Sequence, residues 1–120
     1  MADTKWFIYV VENRLGMTYC GICTDLARRF HEHASNSKRC AKALRGKGPL
    51  KLKFAAQMEG HSNALKTEYW FKKQSKTAKL KIINGEVNLP SNPIKVSPIQ
   101  LQNLQSTVEE RISKNASSEN

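Results

Sequence analysis

Residues 6–35, WFIYVVENRLGMTYCGICTDLARRFHEHAS, decide the fold. Residues 6–11 are aromatic or β-branched and read as a strand; 17–23 read as a second. Residues 12–16 between them, with Asn13 and Gly16, suit a hairpin loop. Thr24 reads as a helix N-cap, with Asp25 in the first turn, where a carboxylate is favourable. The helix is expected to end near Ser35. Downstream, 36–49 is a polar, basic loop with a helical turn near Ala41 and Leu44. A third strand over 50–58 places Leu50, Leu52 and Phe54 on one face. Ser62 caps a helix over about 63–73, and a short helix over 75–83 stops at Asn84-Gly85.

The remainder of the chain is different in kind. Residues 88–98 carry three prolines and are expected to be extended. Ser97-Pro98 starts a helix over about 98–113, with Leu101, Leu104, Val108 and Ile112 on one stripe. That stripe packs on the core or engages a protein partner, packing being the default, and residues 115–120 read as disordered. The expected organisation is a domain over 1–85 with a C-terminal extension over 86–120.

The 120 residues fit one domain with one real core. No apolar run reaches the roughly 18 residues of a membrane-spanning helix. The run 6–11 ends at Glu12 without a small-residue cleavage site, so no signal peptide is expected and the compartment reads as cytoplasmic. Three cysteines argue against a disulfide framework. The net charge of +10 points to a polyanion, nucleic acid first. It is concentrated in residues 1–85, at +11, while 86–120 carry −1. One acid-free run holds Lys38, Arg39, Lys42, Arg45, Lys47, Lys51 and Lys53. A second, from Lys66 to Lys81, is relieved only by Glu68.

Three features carry chemistry. If Val11 pairs with Met17, Tyr9 lies opposite Tyr19 on one face, and Gly21 lies opposite Phe7, where a missing side chain admits a substrate backbone. On the following helix, Leu26, Arg29, Phe30 and His33 share a face, so Arg29 sits at the edge of an apolar stripe and needs a partner. Arg28 and Glu32 point elsewhere and read as solvated. Third, Glu68 shares a stripe with Ala64, Leu65 and Phe71, a costly place for a carboxylate without a cation. Two phenols, a guanidinium and a carboxylate on a basic domain suit phosphodiester chemistry.

The pair Phe7-Ile8-Tyr9 and Tyr19-Cys20-Gly21 resembles the double signature of the GIY-YIG nucleases. Residues 22–29, ICTDLARR, and then His33 resemble that family's helix with its arginine. Glu68, in ALKTEYWFK, matches its metal-binding glutamate. The stretch 43–48, ALRGKG, is shared with the small single-domain bacterial members, the YhbQ-like group. The resemblance covers about residues 5–85. It implies an α/β (α+β) fold, a three-stranded antiparallel sheet flanked by helices. It also implies a DNA endonuclease working with one Mg²⁺ or Mn²⁺, with Tyr9, Tyr19, Arg29 and Glu68 as catalytic residues, Glu68 as metal ligand, and Gly21 and His33 in support. Arg39, Lys42, Arg45, Lys47 and Lys51 would hold the backbone of DNA, or of RNA, without reading sequence. Phe7 and Cys20 depart from the signatures, and Ile22 stands where the family's repair nucleases often carry a lysine.

On this reading either tyrosine serves as the base. A free phenol, with pKa about 10, is ionised in about one molecule in a thousand at pH 7, and neighbouring positive charge raises that fraction. A zinc site at Cys20 and Cys23 with His31, His33 and Cys40 is disfavoured, because the two cysteines point to opposite faces of one strand. The rival reading is a nucleic-acid-binding module without catalysis, in which Trp70 stacks on a base or serves the core.

Overall fold

The computed structural model describes residues 4–91 and 93–118. In chain order it contains β1 (Lys5–Glu12), β2 (Thr18–Cys23), α1 (Leu26–Ala34), β3 (Lys51–Glu59), α2 (His61–Lys72), α3 (Lys76–Ile83), β4 (Ile94–Lys95) and α4 (Pro98–Ser118). The strands form one antiparallel sheet in the order β2-β1-β3-β4. The sheet thus has one strand more than expected. β4 adds two residues to the far edge, pairing Lys95 with Ala56 and Ile94 with Gln57. A two-residue strand has no periodicity for a sequence to display.

Strand β1 is central, and its alternation feeds two core layers. Tyr9 and Val11 face Leu26 and Phe30 of α1 and Leu101 and Val108 of α4. Ile8 and Val10 face Cys20, Phe54, Phe71 of α2 and Ile82 of α3. Strand β2 lies at the sheet edge, with both helical layers beside it.

Two registers differ from the sequence expectation. Val11 pairs with Tyr19 rather than with Met17, and Tyr9 pairs with Gly21. The cause is a tight loop. Asn13 bonds through its backbone N–H to Met17 O (2.9 Å) and accepts at Oδ1 from the N–H groups of Leu15 and Met17. The Gly16 N–H bonds to Asn13 O (3.0 Å), with Gly16 at φ +81°. This is the three-residue hairpin loop closed by a left-handed glycine. A shift of two residues leaves the side-chain faces intact. In β3, Val10 pairs with Phe54 and Val11 with Leu52, leaving Lys53 as a bulge. Leu50 and Leu52 therefore join one core layer and Phe54 the other, against the expectation of a common face.

The helix starts are also shifted. Asp25, not Thr24, caps α1, accepting at Oδ1 from Arg28 N–H (3.1 Å). Gly60 at φ +84° turns β3 directly into α2, so Ser62 caps nothing. Helix α2 buries Ala64, Thr67 and Phe71, while Leu65 is exposed. Ser75 caps α3 as expected. At α4, Ser97 and Gln100 form a reciprocal capping box, Ser97 Oγ accepting from Gln100 N–H and Gln100 Oε1 from Ser97 N–H, each at 3.2 Å.

Helix α4 lays Leu101, Leu104, Val108 and Ile112 on the α1 side of the sheet. The stripe packs on the chain's own core. The helix extends through 118, into the stretch 115–120 expected to be disordered; residues 119–120 lie outside the described residues. Val108→Ala is expected to cost about 2 kcal/mol in urea unfolding through the cavity it opens. Ile99→Ala, at an exposed position of the same helix, is expected to change stability by less than about 0.5 kcal/mol. Equal losses would contradict this packing.

Candidate active site

The site grows from Gly21. Because Gly21 is paired with Tyr9 and has no side chain, the Tyr9 ring lies flat across it. A Cβ at Gly21 would stand 2.7 Å from Tyr9 Cζ. The vacancy expected to admit a substrate is therefore filled by a phenol. Tyr9 is only 1% exposed and cannot move aside cheaply.

His33, from the buried face of α1, meets this ring. Its Nε2 lies 2.7 Å from Tyr9 Oη, and its Nδ1 accepts from the Ala41 backbone N–H at 3.3 Å. Burial, aided by the Arg29 charge, pushes the imidazole pKa down to about 4. The ring is then neutral, and the Ala41 donor assigns its single proton to Nε2, which donates to Tyr9 Oη. Burial also holds the Tyr9 phenol well above its ordinary range; Tyr19 adds to this and Arg29 opposes it. At Tyr9 desolvation outweighs the guanidinium, so Arg29 alone does not ionise this phenol. Tyr19 is only partly buried. Its ring centre is 6.4 Å from that of Tyr9 and 5.6 Å, edge-on, from His33.

Arg29 flanks the cluster. Its Nη1 bonds to Glu32 Oε1 (3.0 Å) and to the Arg39 carbonyl (2.7 Å). Burial disfavours the charged guanidinium, but Glu32 and Tyr9 more than offset it, and its pKa is raised. Glu32 is thus not solvated: its side chain is 16% exposed and braces Arg29. The sequence analysis missed it, although an acid three residues beyond an arginine is the helical signal for such a pair.

Glu68 stands on the other face. It is paired with Lys72 (3.4 Å), and both act on the Cys20 thiol of β2, whose pKa burial pushes up to about 12. Arg29 acts on Cys23 of the same strand. The arginine and the carboxylate therefore approach edge strand β2 from opposite sides. Cys20 and Cys23 lie in different core layers. Among the described residues no three His, Cys, Asp or Glu side chains gather as a metal cage. A lone carboxylate suits an ion that keeps water and substrate oxygens as its other ligands, as Mg²⁺ does.

Of the basic residues singled out, Arg39, Lys42 and Lys51 are exposed and Lys47 is partly so. Arg45 is committed to the loop itself, donating to the carbonyls of Lys38 (3.1 Å) and Cys40 (3.2 Å). Trp70 is partly buried against the second core layer.

The family model described as the GIY-YIG catalytic domain matches residues 5–81. This chain belongs to the GIY-YIG family. It is 40% identical over 100 residues to the UPF0213 protein YE0453 of Yersinia enterocolitica, covering 83% of this chain and 98% of that one. It is 45% identical over 89 residues to a UPF0213 protein of Yersinia pestis, covering 74% and 92%. The solution structure of the UPF0213 protein BH0048 from Bacillus halodurans is 26% identical, covers 82% of this chain and 93% of that one, and has a TM-score of 0.47. The YhbQ-like resemblance stands with these bacterial relatives. The two GIY-YIG signatures occupy the paired strands β1 and β2. No helix among the described residues is long and apolar enough to cross a membrane.

The neutral His33 makes stability depend on pH. Its folded pKa, about 4, lies below its ordinary 6.5, so the unfolded chain binds the proton more tightly between those values. Its contribution is complete above about 6.5 and is lost as pH falls toward 4, a loss of about 3 kcal/mol. Urea unfolding across this range should show that loss in the wild type and a flatter profile in His33→Gln. Gly21→Ala is expected to cost about 2 kcal/mol by displacing Tyr9. It should also return His33, followed by NMR titration, toward its ordinary value.

Proposed function

We propose that this chain is a metal-dependent DNA endonuclease that hydrolyses phosphodiester bonds and selects DNA by structure, in cytoplasmic DNA repair or processing. Membership of the GIY-YIG family implies a nucleic-acid substrate. The observation that carries the reading is the cluster of Tyr9, Tyr19 and His33 with Arg29 beside it on one face of the hairpin, while Glu68 lies toward the other face of β2, beside Cys20.

Each residue has a role that follows from its surroundings. Arg29 is held in place by Glu32 and the Arg39 carbonyl and stabilises charge on the phosphate oxygens in the transition state. Tyr19, the more accessible phenol, orients the attacking water and, as the phenolate, takes its proton. Tyr9 and His33 are positioning residues, since one hydrogen bond fixes both rings beneath Tyr19. Glu68 would hold one Mg²⁺ or Mn²⁺, which would supply positive charge to offset that developing at the leaving oxygen. Arg39, Lys42, Lys47 and Lys51 hold the backbone, with Arg45 shaping their loop. RNA meets the same groups.

A non-catalytic binding module is the second reading, favoured by one observation. Ile22, at the position of the lysine in repair members of the family, packs on the second core layer and brings no charge.

The test is cleavage of labelled branched, single-stranded and duplex DNA with Mg²⁺ or Mn²⁺. Tyr19→Phe and Glu68→Gln are each expected to lose at least about 100-fold in rate while remaining folded. Arg29→Lys keeps the charge without the planar fork and should also fail; Arg29→Ala is less informative because it strands the Glu32 carboxylate. Undiminished cleavage in Tyr19→Phe and Glu68→Gln would remove the assigned site. Absence of cleavage by the parent, with nucleic acid still bound, would favour the binding module.

A further inference from the structure

A groove separate from the phenol cluster lies between the tip of the β1–β2 hairpin and α3. It has a volume of about 310 Å³ and is lined by Leu15, Met17, Thr18, Lys76, Lys79 and Leu80, among others. Three of these are large apolar side chains left in water: Leu15 is 64% exposed, Met17 58% and Leu80 45%. Apolar side chains gathered beside cations mark a contact surface rather than a solvated face. Glu12, at the end of β1, also lines the groove.

The groove lies on the Glu68 side of the sheet, to which Lys79 connects it. Thr18 directly precedes Tyr19 on β2. Lys79 lies over the Phe71 ring (5.8 Å to its centre) and acts with Glu68 and Lys72 on Cys20. A chain of positive groups thus runs from Lys72, beside Glu68, to Lys79 and then to Lys76 in the groove. The stretch from Lys66 to Lys81 contains one acid, Glu68, and it is paired with Lys72.

We infer that this groove receives the nucleic-acid strand beyond the phosphate held at β2, with Lys76 and Lys79 on its phosphates and Leu15, Met17 and Leu80 against its sugars and bases. The inference rests on the nuclease reading for its substrate and adds a second contact surface to it. The occupant is nucleic acid and not an acidic protein segment because the cations continue those beside Glu68 without interruption. The basic loop 36–49 stands on the α1 side of the sheet, where the Arg39 carbonyl accepts from Arg29 Nη1. The strand is thereby held on both sides of the reacting phosphate. Such a contact needs no base-specific hydrogen bond, since lysines meet phosphates and aliphatic side chains meet any sugar or base.

The experiment measures binding of a fluorescein-labelled mixed-sequence oligonucleotide, as single strand and as duplex, by anisotropy across a salt series. EDTA keeps cleavage out of the measurement. In Lys76→Gln/Lys79→Gln the slope of log affinity against log salt should fall by about 2, one phosphate per lysine. Met17→Asp, at an exposed hairpin position, should weaken binding about tenfold or more without changing thermal unfolding. Lys95→Gln, on β4 at the opposite sheet edge, is the control and should leave the slope unchanged. An unchanged slope and affinity in both groove variants, with wild-type binding intact, would overturn the inference and leave the nuclease reading standing. Loss of self-association in Met17→Asp at unchanged oligonucleotide affinity would assign the groove to a second copy of the chain and equally overturn it. Absence of any nucleic-acid binding by the wild type would remove the nuclease reading and this inference together.

Discussion

The hydrogen bond between Tyr9 Oη and His33 Nε2, 2.7 Å long and closed off from water, ties the central strand to the first helix. It exists because Gly21 leaves a gap across the hairpin into which the phenol ring fits. It also depends on the loop after α1, because the Ala41 N–H occupies the other imidazole nitrogen. Three separate segments must be in place before the two rings take this arrangement. A buried polar pair of this kind is stable only when its groups are satisfied, and among the described residues no buried side-chain polar atom lacks a partner.

The same neighbourhood shows how local electrostatics divides two chemically identical side chains. Tyr9 and Tyr19 share a face of one hairpin, yet the first is sealed under α1 and the second reaches toward solvent. Burial holds the proton on Tyr9 more firmly than Arg29 can loosen it. Arg29 is itself partly neutralised by Glu32 and anchored by a loop carbonyl. An anion arriving at Arg29 meets a guanidinium whose position is already set, so little ordering remains for binding to accomplish.

The extension beyond residue 85 belongs to this arrangement in a physical sense. Leu101 and Val108 complete the core layer that covers Tyr9 and Phe30. Gln105 pairs through its side-chain amide with Leu52 N–H (2.8 Å) and Leu50 O (3.4 Å), taking the place of a neighbouring strand beside the β3 bulge. The edge of β3 that β4 is too short to cover is thereby protected.

Local patterns in the sequence were enough for the hairpin, the three longer strands, all four helices and the faces of Tyr9, Tyr19, Arg29 and His33. These features depend on periodicities of two and 3.6 residues and on side chains near in sequence. What depends on loop closure, on a bulge or on contacts between distant segments was not legible. The hairpin register shifted because Asn13 closes a loop tighter than composition suggests. Phe54 changed face because a bulge at Lys53 interrupts the alternation. Glu32 became a partner of Arg29 through the fold of the loop that carries Arg39, and Tyr9 became the buried phenol through the packing of α1 over Gly21. The sequence by itself determined which groups lie on which face, because that is a property of one strand or helix. Only the tertiary structure decided which of them are dry, which are paired and which reach solvent, because desolvation and pairing are set by whatever the rest of the chain places beside them.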